Sequence, residues 1–337
     1  MNTTNILNNL VEKKNMTAEE INIFLSDLIN GNVNSIQGGA ILTALKIKGE
    51  TPEEINGLIK TMRKNMVSIN LNNAIDVCGT GGDDSGSFNI STAVALVVAG
   101  CGVKVAKHGN RAASSKCGSA DVLESLGVNI KLNPTQAQQV FKKIGMVFLF
   151  APIYHPAMKN IVNIRKELKI RTIFNYLGPF INPSCPVKQL VGVPNKEIAQ
   201  KLADVSKKLN YKHLLIVTSE DGMDEISIYS KTFMFEINKN QIKNKVIDPQ
   251  DYKFNKTNKK EILGGDTVDN AKIIKNILNG VKGPQRDLVV FNSAFALYVA
   301  GSVIDINQGI KLAEDSIDSG SAKLVLENLI KETQRYG

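Results

Sequence analysis

Two Gly- and Ser-rich stretches between Asp76 and Glu124 constrain the fold of this chain more than any other feature of its sequence. The first is Asp76-Val-Cys-Gly-Thr-Gly-Gly-Asp-Asp-Ser-Gly-Ser-Phe-Asn-Ile-Ser-Thr92, and the second is Lys107-His-Gly-Asn-Arg-Ala-Ala-Ser-Ser-Lys-Cys-Gly-Ser-Ala-Asp121. Each stretch follows a short apolar segment that predicts a strand and leads into a segment that predicts a helix. Repeated strand–loop–helix units favour a parallel sheet covered by helices. Because such loops expose backbone N–H groups and hydroxyls, they are also typical of phosphate-binding sites.

The rest of the chain divides into a helical part and an α/β part. Residues 1–70 show only helical patterns, with caps at Thr17 and Gly31, a helix from Ile36 to Lys48, and a third helix after Thr51-Pro52. Strand and helix patterns alternate from about residue 74. We therefore predict an α/β protein with a small all-helical N-terminal domain (1–70, completed by about 160–186) and a larger α/β domain with a mostly parallel central sheet (71–159 and 187–337).

Individual strands and helices of the larger domain follow from short apolar runs and from helical periodicity. The predicted strands are Ile75–Cys78, Val103–Ala106, Met146–Phe150, Leu190–Val193 and Leu214–Thr218, with a hairpin formed by Ile226–Tyr229 and Phe233–Ile237. The predicted C-terminal helical segments are Asp269–Asn279, Asp287–Val299 and Asn307–Lys331.

Composition narrows the functional classes. The 337 residues carry a net charge of +9, but the lysines are spread along the chain and no Lys/Arg run is interleaved with aromatics, which does not favour nucleic acid as the main partner. The longest apolar run, around Ala93 to Val98, is too short to span a membrane. The N-terminus has no secretion pattern, and the four cysteines form no CxxC pair. A cytoplasmic protein is expected.

The first Gly-rich loop has the composition of an anion site. Gly79-Thr-Gly-Gly82 can present successive N–H groups, and Asn89, Ser91 and Thr92 stand where the next helix begins. A Walker A loop is excluded because no lysine lies between Gly79 and Ser91. A dinucleotide-binding motif is also excluded, because Asp84 stands where its third glycine should be. An ordinary Gly-rich turn remains the alternative reading.

The second loop adds positive charge and more hydroxyls. Lys107 can neutralise a phosphate, Ser114, Ser115 and Ser119 offer donors, and Asn110 can both donate and accept. Ligand sites of α/β sheets gather at the carboxyl ends of strands, where we place Lys107. The alternative is an ordinary surface loop that leads into the next helix.

Two adjacent acidic residues offer a metal site. Asp224 and Glu225 can supply the hard oxygen ligands that Mg²⁺ prefers, with Ser91 as a neutral oxygen ligand. The alternative is a solvated acidic turn after Gly222.

Taken together, these motifs resemble those of the anthranilate phosphoribosyltransferases. The resemblance includes Gly79-Thr-Gly-Gly-Asp83, Asn89-Ile-Ser-Thr92 and Lys107-His-Gly-Asn-Arg111, and it continues through His155-Pro-Ala-Met158, Arg165-Lys-Glu-Leu168, Arg171-Thr-Ile-Phe-Asn175, Leu177-Gly-Pro179, Asn182-Pro183 and Gly222-Met-Asp-Glu-Ile226. It extends in order over nearly the whole chain.

The resemblance implies three sets of site residues. Those expected to bind the donor, phosphoribosyl pyrophosphate, are Gly79, Gly82, Asp83, Ser87, Asn89, Ile90, Ser91, Thr92, Lys107, Ser114, Ser115 and Ser119. Those expected on the anthranilate side are Gly79, Asn110, Arg165, His108, His155 and Pro179. Those expected to hold Mg²⁺ are Ser91, Asp224 and Glu225.

The resemblance also implies an activity. The protein is expected to transfer the phosphoribosyl group to the amine of anthranilate in tryptophan biosynthesis, as a Mg²⁺-dependent homodimer. Two alternatives are a pyrimidine nucleoside phosphorylase of related fold and a non-catalytic paralogue that binds nucleic acid. The Asp224-Glu225 pair and Gly79-Thr-Gly-Gly82 argue against the first, and retention of the donor, metal and acceptor residues argues against the second.

Overall fold

The computed structural model of the protein describes residues 3–83, 85–112, 116–254 and 257–337. Within these ranges the α-helices are α1 Thr3–Val11, α2 Ala18–Asn30, α3 Ser35–Lys48, α4 Pro52–Lys64, α5 Ile90–Gly100, α6 Ser119–Ser125, α7 Pro134–Ile144, α8 Ala151–Tyr154, α9 Met158–Leu168, α10 Lys196–Ser206, α11 Thr267–Leu278, α12 Pro284–Ala300, α13 Ile306–Asp318 and α14 Ser321–Thr333. The strands are β1 Ile75–Gly79, β2 Val105–Gly109, β3 Met146–Phe150, β4 Lys188–Gly192, β5 His213–Ser219, β6 Thr232–Asn238 and β7 Gln241–Ile247.

The seven strands form one sheet in the order β3-β2-β1-β4-β5-β6-β7. The first five in this order are parallel, and β6 and β7 are antiparallel. The chain moves outward from β1 to β3 and then returns to place β4 on the other side of β1. The point between β1 and β4 is therefore a topological switch point, where α/β sheets open a crevice at the carboxyl ends of their strands.

The predicted fold class, a helical N-terminal part and an α/β part with a mostly parallel sheet, is confirmed. Helices α2 and α4 begin with the capping boxes of Thr17 with Glu20 and of Thr51 with Glu54, and Gly31 ends α2 in the left-handed conformation. Helix α9 packs against α2 and α3. The division of the chain into domains at the predicted residue bounds stays a prediction.

Hydrophobic residues fill both faces of the sheet. On one face, Leu190, Leu215 and Val217 pack with α5 and α12 in a large core cluster. On the other face, Val191 and Ile216 belong to a cluster that also includes the helices of the N-terminal part and α10. This alternation is the two-residue period of a sheet that is covered on both sides. No helix in the described part of the chain is long and apolar enough to cross a membrane.

The second strand differs from its prediction. It was expected at Val103–Ala106 but extends over Val105–Gly109, because each of these residues pairs in register with β3. Lys107 consequently lies inside the strand with 1% of its surface exposed, and not in the loop that follows.

The predicted hairpin of Ile226–Tyr229 and Phe233–Ile237 is wrong in its first strand. The hairpin is formed by β6 and β7, joined by Lys239 and Asn240, which both have positive φ as a type I′ turn requires. Strand β7 was missed because it is a mostly exposed edge strand that carries lysines and little apolar signal.

The predicted helical segment Asn307–Lys331 consists of two helices, α13 and α14. Gly320 separates them with a φ of +79°, a left-handed conformation that ends an α-helix.

Candidate active site

A cleft of about 1090 Å³ opens at the carboxyl ends of β1 and β2. Its other walls come from α9 and from residues 174–181, so it lies between the α/β part and the helical part. The predicted site residues that line it are Gly79, Gly82, Asp83, Ser87, Asn89, Ile90, Ser91, Lys107, His108, Asn110, Ser119, His155, Arg165, Pro179, Asp224 and Glu225. One cleft therefore brings together residues of all three predicted sets.

Three predicted donor residues are not part of this wall as described. Ser114 and Ser115 lie outside the described residues. Thr92 is fully buried in the first turn of α5, and its hydroxyl has no hydrogen-bond partner.

The acidic turn after β5 reaches over the end of β1. Asp224 Oδ2 accepts a hydrogen bond from the N–H of Gly81 at 2.7 Å, and the N–H of Asp224 donates to Asp83 Oδ2 at 3.3 Å. Gly79 and Gly192 end the paired strands β1 and β4, and a Cβ on either glycine would overlap Asp224. Glycine at both strand ends is thus what allows this turn to approach.

The carboxylates of Asp224 and Glu225, with Asp83 nearby, are electrostatically suited to bind a cation. Burial raises the pKa of Asp224 to about 7, and the charge of Asp83 adds to the rise. Burial and the charge of Asp224 raise the pKa of Glu225 well above its usual range, although Lys107 and the N–H of Ser91 oppose this. Carboxylates that resist ionisation next to one another are stabilised as anions when a divalent cation binds between them.

The oxygen ligands at this position suit Mg²⁺ better than a metal that takes all of its ligands from the protein. No three His, Cys, Asp or Glu side chains among the described residues form a ready-made metal cluster. Mg²⁺ commonly takes one or two carboxylates and completes its shell with water and substrate phosphates. Asp224, Glu225 and the Ser91 hydroxyl, which all line the cleft, match that demand.

Lys107 supplies positive charge next to the first loop. Its Nζ donates to the carbonyl of Val77 at 2.7 Å and to Ser91 Oγ at 3.1 Å. These contacts hold the ammonium at the N-terminal end of α5. An ammonium fixed beside a helix N-terminus favours the binding of an anion such as phosphate.

Asp121 shapes the second loop. Its Oδ2 accepts hydrogen bonds from the N–H groups of Ala112 at 3.0 Å and Gly118 at 2.9 Å, and its Oδ1 contacts Arg111. Ser119 begins α6, and its hydroxyl donates to the carbonyl of Asn110 at 3.3 Å. Residues 110–112 are thereby joined to the start of α6, and Asn110 and Ser119 line the cleft.

Arg165 faces the cleft from α9. It is half-buried, burial lowers its pKa, and it has no ion-pair partner among the described residues. A planar guanidinium without a partner is suited to grip a carboxylate through two parallel hydrogen bonds.

Two neutral histidines also line the cleft. The ring centroids of His108 and His155 are 5.3 Å apart. Burial lowers the pKa of His108 to about 3 and that of His155 to about 4. Their rings are therefore uncharged at pH 7, and with Pro179 they give this end of the cleft an apolar, neutral wall.

Sequence reasoning missed a segment that crosses the first loop. Leu263 pairs with Ser87 in an antiparallel bridge, Gly264 N–H donates to Gly86 O at 2.8 Å, and a Cβ at Gly264 would lie 2.8 Å from Phe88 Cα. Leu263, Gly264, Gly265 and Asn270 all line the cleft. The signal for it was the pair of glycines directly before the N-cap Asp266.

Comparison with known families agrees with the fold and with the position of the cleft. Residues 71–323 match the model of a glycosyl transferase family, α/β domain, and residues 4–66 match a glycosyl transferase family, helical bundle domain. The helical and α/β parts of the chain thus each match a part of the same kind of enzyme.

Named relatives cover nearly the whole chain. It is 46% identical over 332 residues to the anthranilate phosphoribosyltransferase of Acetivibrio thermocellus, covering 98% of this chain and 96% of the relative. It is 45% identical over 325 residues to that of Methanobrevibacter smithii, with 96% and 97% covered.

Solved structures extend the likeness to three dimensions. The crystal structure of anthranilate phosphoribosyltransferase from Thermus thermophilus superposes with a TM-score of 0.91 at 33% identity, covering 98% of this chain and 99% of that one. The enzyme from Saccharomyces cerevisiae in complex with PRPP and Mg superposes with a TM-score of 0.87 at 29% identity, with 94% and 92% covered. The sequence and fold matches, which run over nearly the full length, show that this chain belongs to the anthranilate phosphoribosyltransferase family.

Proposed function

We propose that the protein transfers the 5-phosphoribosyl group of phosphoribosyl pyrophosphate to the amine of anthranilate and releases pyrophosphate. The observation that carries this proposal is the convergence of three chemically different groups on one cleft: the Gly-rich loop with Lys107, the acidic turn at Asp224, and the half-buried Arg165 without an ion-pair partner among the described residues. They match an anionic donor, a divalent cation and an acceptor carboxylate.

The donor is proposed to lie against the first loop and the start of α5. Gly79, Gly82, Asp83, Ser87, Asn89, Ile90 and Ser91 line this part of the cleft with Lys107 and Ser119. The proposed donor-binding set also includes Thr92, which is buried in the first turn of α5, and Ser114 and Ser115, which lie outside the described residues. Backbone N–H groups, hydroxyls and one fixed ammonium suit the phosphate oxygens of the donor. Lys107 also faces the negative charge that grows on the departing pyrophosphate.

Mg²⁺ is proposed to bind at Ser91, Asp224 and Glu225. When bound, it would neutralise pyrophosphate charge as that group departs. Asp83 touches the N–H of Asp224 and helps to fix the acidic turn.

The acceptor is proposed to lie between α9 and the neutral wall. Arg165 holds its carboxylate, Asn110 offers a hydrogen-bonding amide, and Gly79, His108, His155 and Pro179 enclose the ring. The amine of anthranilate is uncharged at pH 7 and attacks without a strong base. Positioning the two substrates next to each other supplies much of the rate enhancement.

The assembly is proposed to be a homodimer formed through the helical part. Val11, Ile36 and Ile47 lie on α1 and α3, which pack together, and they are 69%, 83% and 75% exposed. A second copy would cover this apolar surface. A dimer mass in light scattering tests the proposal, and a monomer at micromolar concentration contradicts it.

We propose the cytoplasm as the location and tryptophan biosynthesis as the pathway. All four cysteines are free, as a reducing compartment requires.

The reaction is tested directly by mixing the purified protein with phosphoribosyl pyrophosphate, Mg²⁺ and anthranilate. We expect anthranilate fluorescence to fall only when Mg²⁺ is present, with an equal release of pyrophosphate. A pyrimidine nucleoside with inorganic phosphate is the control substrate pair, and turnover of that pair alone would contradict the proposal.

A further inference from the structure

The strands that carry the two loops separate before they reach the cleft. Among the described residues, β1 and β2 pair only at Ile75 with Val105, whereas β2 pairs with β3 at five successive positions. A parallel ladder that continued past this pair would join Ala106 and His108 of β2 to Val77 of β1. Beyond this pair, the backbone groups of Val77, Ala106 and His108 need other partners.

Three side chains take over the backbone groups that this separation frees. Asn182 Nδ2 donates to the carbonyl of Ala106 at 2.9 Å. Lys107 Nζ donates to the carbonyl of Val77 at 2.7 Å. The N–H of His108 donates to Asp76 Oδ1 at 3.3 Å. Buried backbone groups need partners, so these side chains make the open arrangement stable.

Asp76 is the centre of this group. Its side chain is fully buried in β1 and does not line the cleft, so it does not reach a substrate. Besides the N–H of His108, it accepts hydrogen bonds at Oδ2 from Asn182 Nδ2 at 2.8 Å, Gln189 Nε2 at 3.2 Å and Cys78 Sγ at 3.5 Å. Every partner is a donor, an arrangement that suits the acceptor oxygens of a carboxylate. Burial raises the pKa of Asp76, and the charge of Lys107 and these hydrogen bonds oppose that rise.

The same network fastens the segment that forms the acceptor wall. Gln189 Nε2 also donates to the carbonyl of Pro179 at 2.8 Å, and Tyr211 holds Gln189 from the other side at 2.9 Å. His108 Nδ1 lies 3.2 Å from the carbonyl of Gly178. Asp76 is therefore bonded directly to His108 and is joined to Pro179 through Gln189.

We propose that Asp76 is a positioning residue for the acceptor. Its hydrogen bonds hold residues 178–182 and His108 in the geometry that encloses the aromatic ring. This inference rests on the proposed function. The donor side is less dependent on Asp76, because Lys107 has its own anchors at Val77 and Ser91.

The test compares Asp76→Asn and Asn182→Ala with Glu236→Gln. The Asp76→Asn change keeps the size of the side chain but places an NH₂ group against one of the donors. Glu236 is a matched control because it is also a buried carboxylate in the sheet, and it hydrogen-bonds His213 at 2.9 Å and Tyr298 at 2.8 Å. Unlike the network of Asp76, it has no bond to a described residue of the cleft wall. Should Asp76→Asn fail to fold, Asn182→Ala carries the same test with the carboxylate in place.

The measurements are the KM for anthranilate and kcat by fluorescence, and calorimetric binding of phosphoribosyl pyrophosphate with Mg²⁺. We expect both variants to raise the KM for anthranilate about tenfold, because a misplaced wall loses the aligned geometry. We expect their donor Kd to stay within about twofold. We expect Glu236→Gln to lower the unfolding temperature without changing either constant.

An unchanged KM for anthranilate in both variants, an equal loss of donor binding, or the same effect in Glu236→Gln would overturn the inference. Turnover by the unaltered protein is measured first. If the unaltered protein does not turn over anthranilate, the proposed function and this inference are both wrong. If it turns over anthranilate normally and the variants behave like it, only the inference is wrong.

Discussion

Asp224 and Gly81 are 143 residues apart in the chain, yet Asp224 Oδ2 accepts a hydrogen bond from the N–H of Gly81 at 2.7 Å. This contact places the proposed metal-binding turn directly on the proposed phosphate loop. An ion held at Asp224 would therefore lie beside the donor's pyrophosphate, which is where leaving-group charge develops.

We expect Asp224→Asn and Glu225→Gln each to lower Mg²⁺-dependent turnover about tenfold or more, and to raise the Mg²⁺ concentration needed for half-maximal rate. Each change removes a charged oxygen ligand but keeps the shape of the side chain. A Mg²⁺ titration of the initial rate measures the effect. The matched control is Glu220→Gln, an exposed acid near the same turn. Full activity in both variants at low Mg²⁺ would exclude these residues as ligands.

We expect Gly79→Ala to impair the metal site without removing any of its ligands. The added Cβ overlaps the Asp224 carboxylate, so the turn must move away from the end of β1. The Mg²⁺ requirement of the reaction should rise, as in Asp224→Asn. Gly81→Ala is a useful comparison, since its Cβ would meet nothing within 4 Å and only its φ of +70° opposes the change. An unaltered Mg²⁺ requirement in Gly79→Ala would contradict the described approach of Asp224.

We expect Arg165→Ala to reduce kcat/KM for anthranilate by about 10- to 100-fold, because the acceptor carboxylate loses charge-assisted hydrogen bonds. Binding of phosphoribosyl pyrophosphate should change little. Steady-state kinetics with each substrate varied in turn separates the two effects. Lys166→Ala, at the exposed neighbouring position of α9, controls for loss of positive charge. Equal losses in both variants would show that Arg165 acts only through its net charge.

We expect the buried histidines to make stability depend on pH. The pKa of His108 is lowered from 6.5 to about 3, so the unfolded chain takes up a proton near pH 6.5 that the folded chain does not. The unfolded state then binds more protons, and the free energy of unfolding falls as the pH drops from about 6.5 toward 3. Between pH 7 and pH 5 the loss is roughly 1–2 kcal/mol per histidine.

Urea unfolding at pH 7 and pH 5 measures this loss, with His108→Asn as the comparison. The variant should be less sensitive to the same pH change by roughly 1–2 kcal/mol. His155, with a pKa lowered to about 4, contributes in the same direction and remains in both proteins. Identical pH dependence in the two proteins would contradict a neutral, buried His108.

The sequence by itself determined the local structure and the chemical identity of the site. Capping residues such as Thr17 and Thr51 and the apolar runs of the strands act over a few residues, so the helix starts and most strands could be predicted from them. The Gly-rich loops likewise show their chemistry locally, because glycine, serine and lysine at fixed spacings expose N–H groups and charge. Strand β7 could not be found in this way, since its place at the edge depends on pairing with β6.

Only the tertiary structure decided which distant residues meet and which are buried. Nothing local distinguishes Arg165 from its exposed neighbour Lys166, or Asp224 from a solvated acid. Arg165 is half-buried because α9 packs on the helical part. Asp224 can approach the sheet because the strands β1 and β4 both end in glycine. Lys107 and Asp76 are buried because each lies in a paired strand of a sheet that is covered on both faces. These features depend on contacts between residues far apart in the chain, and local propensity contains no information about such contacts.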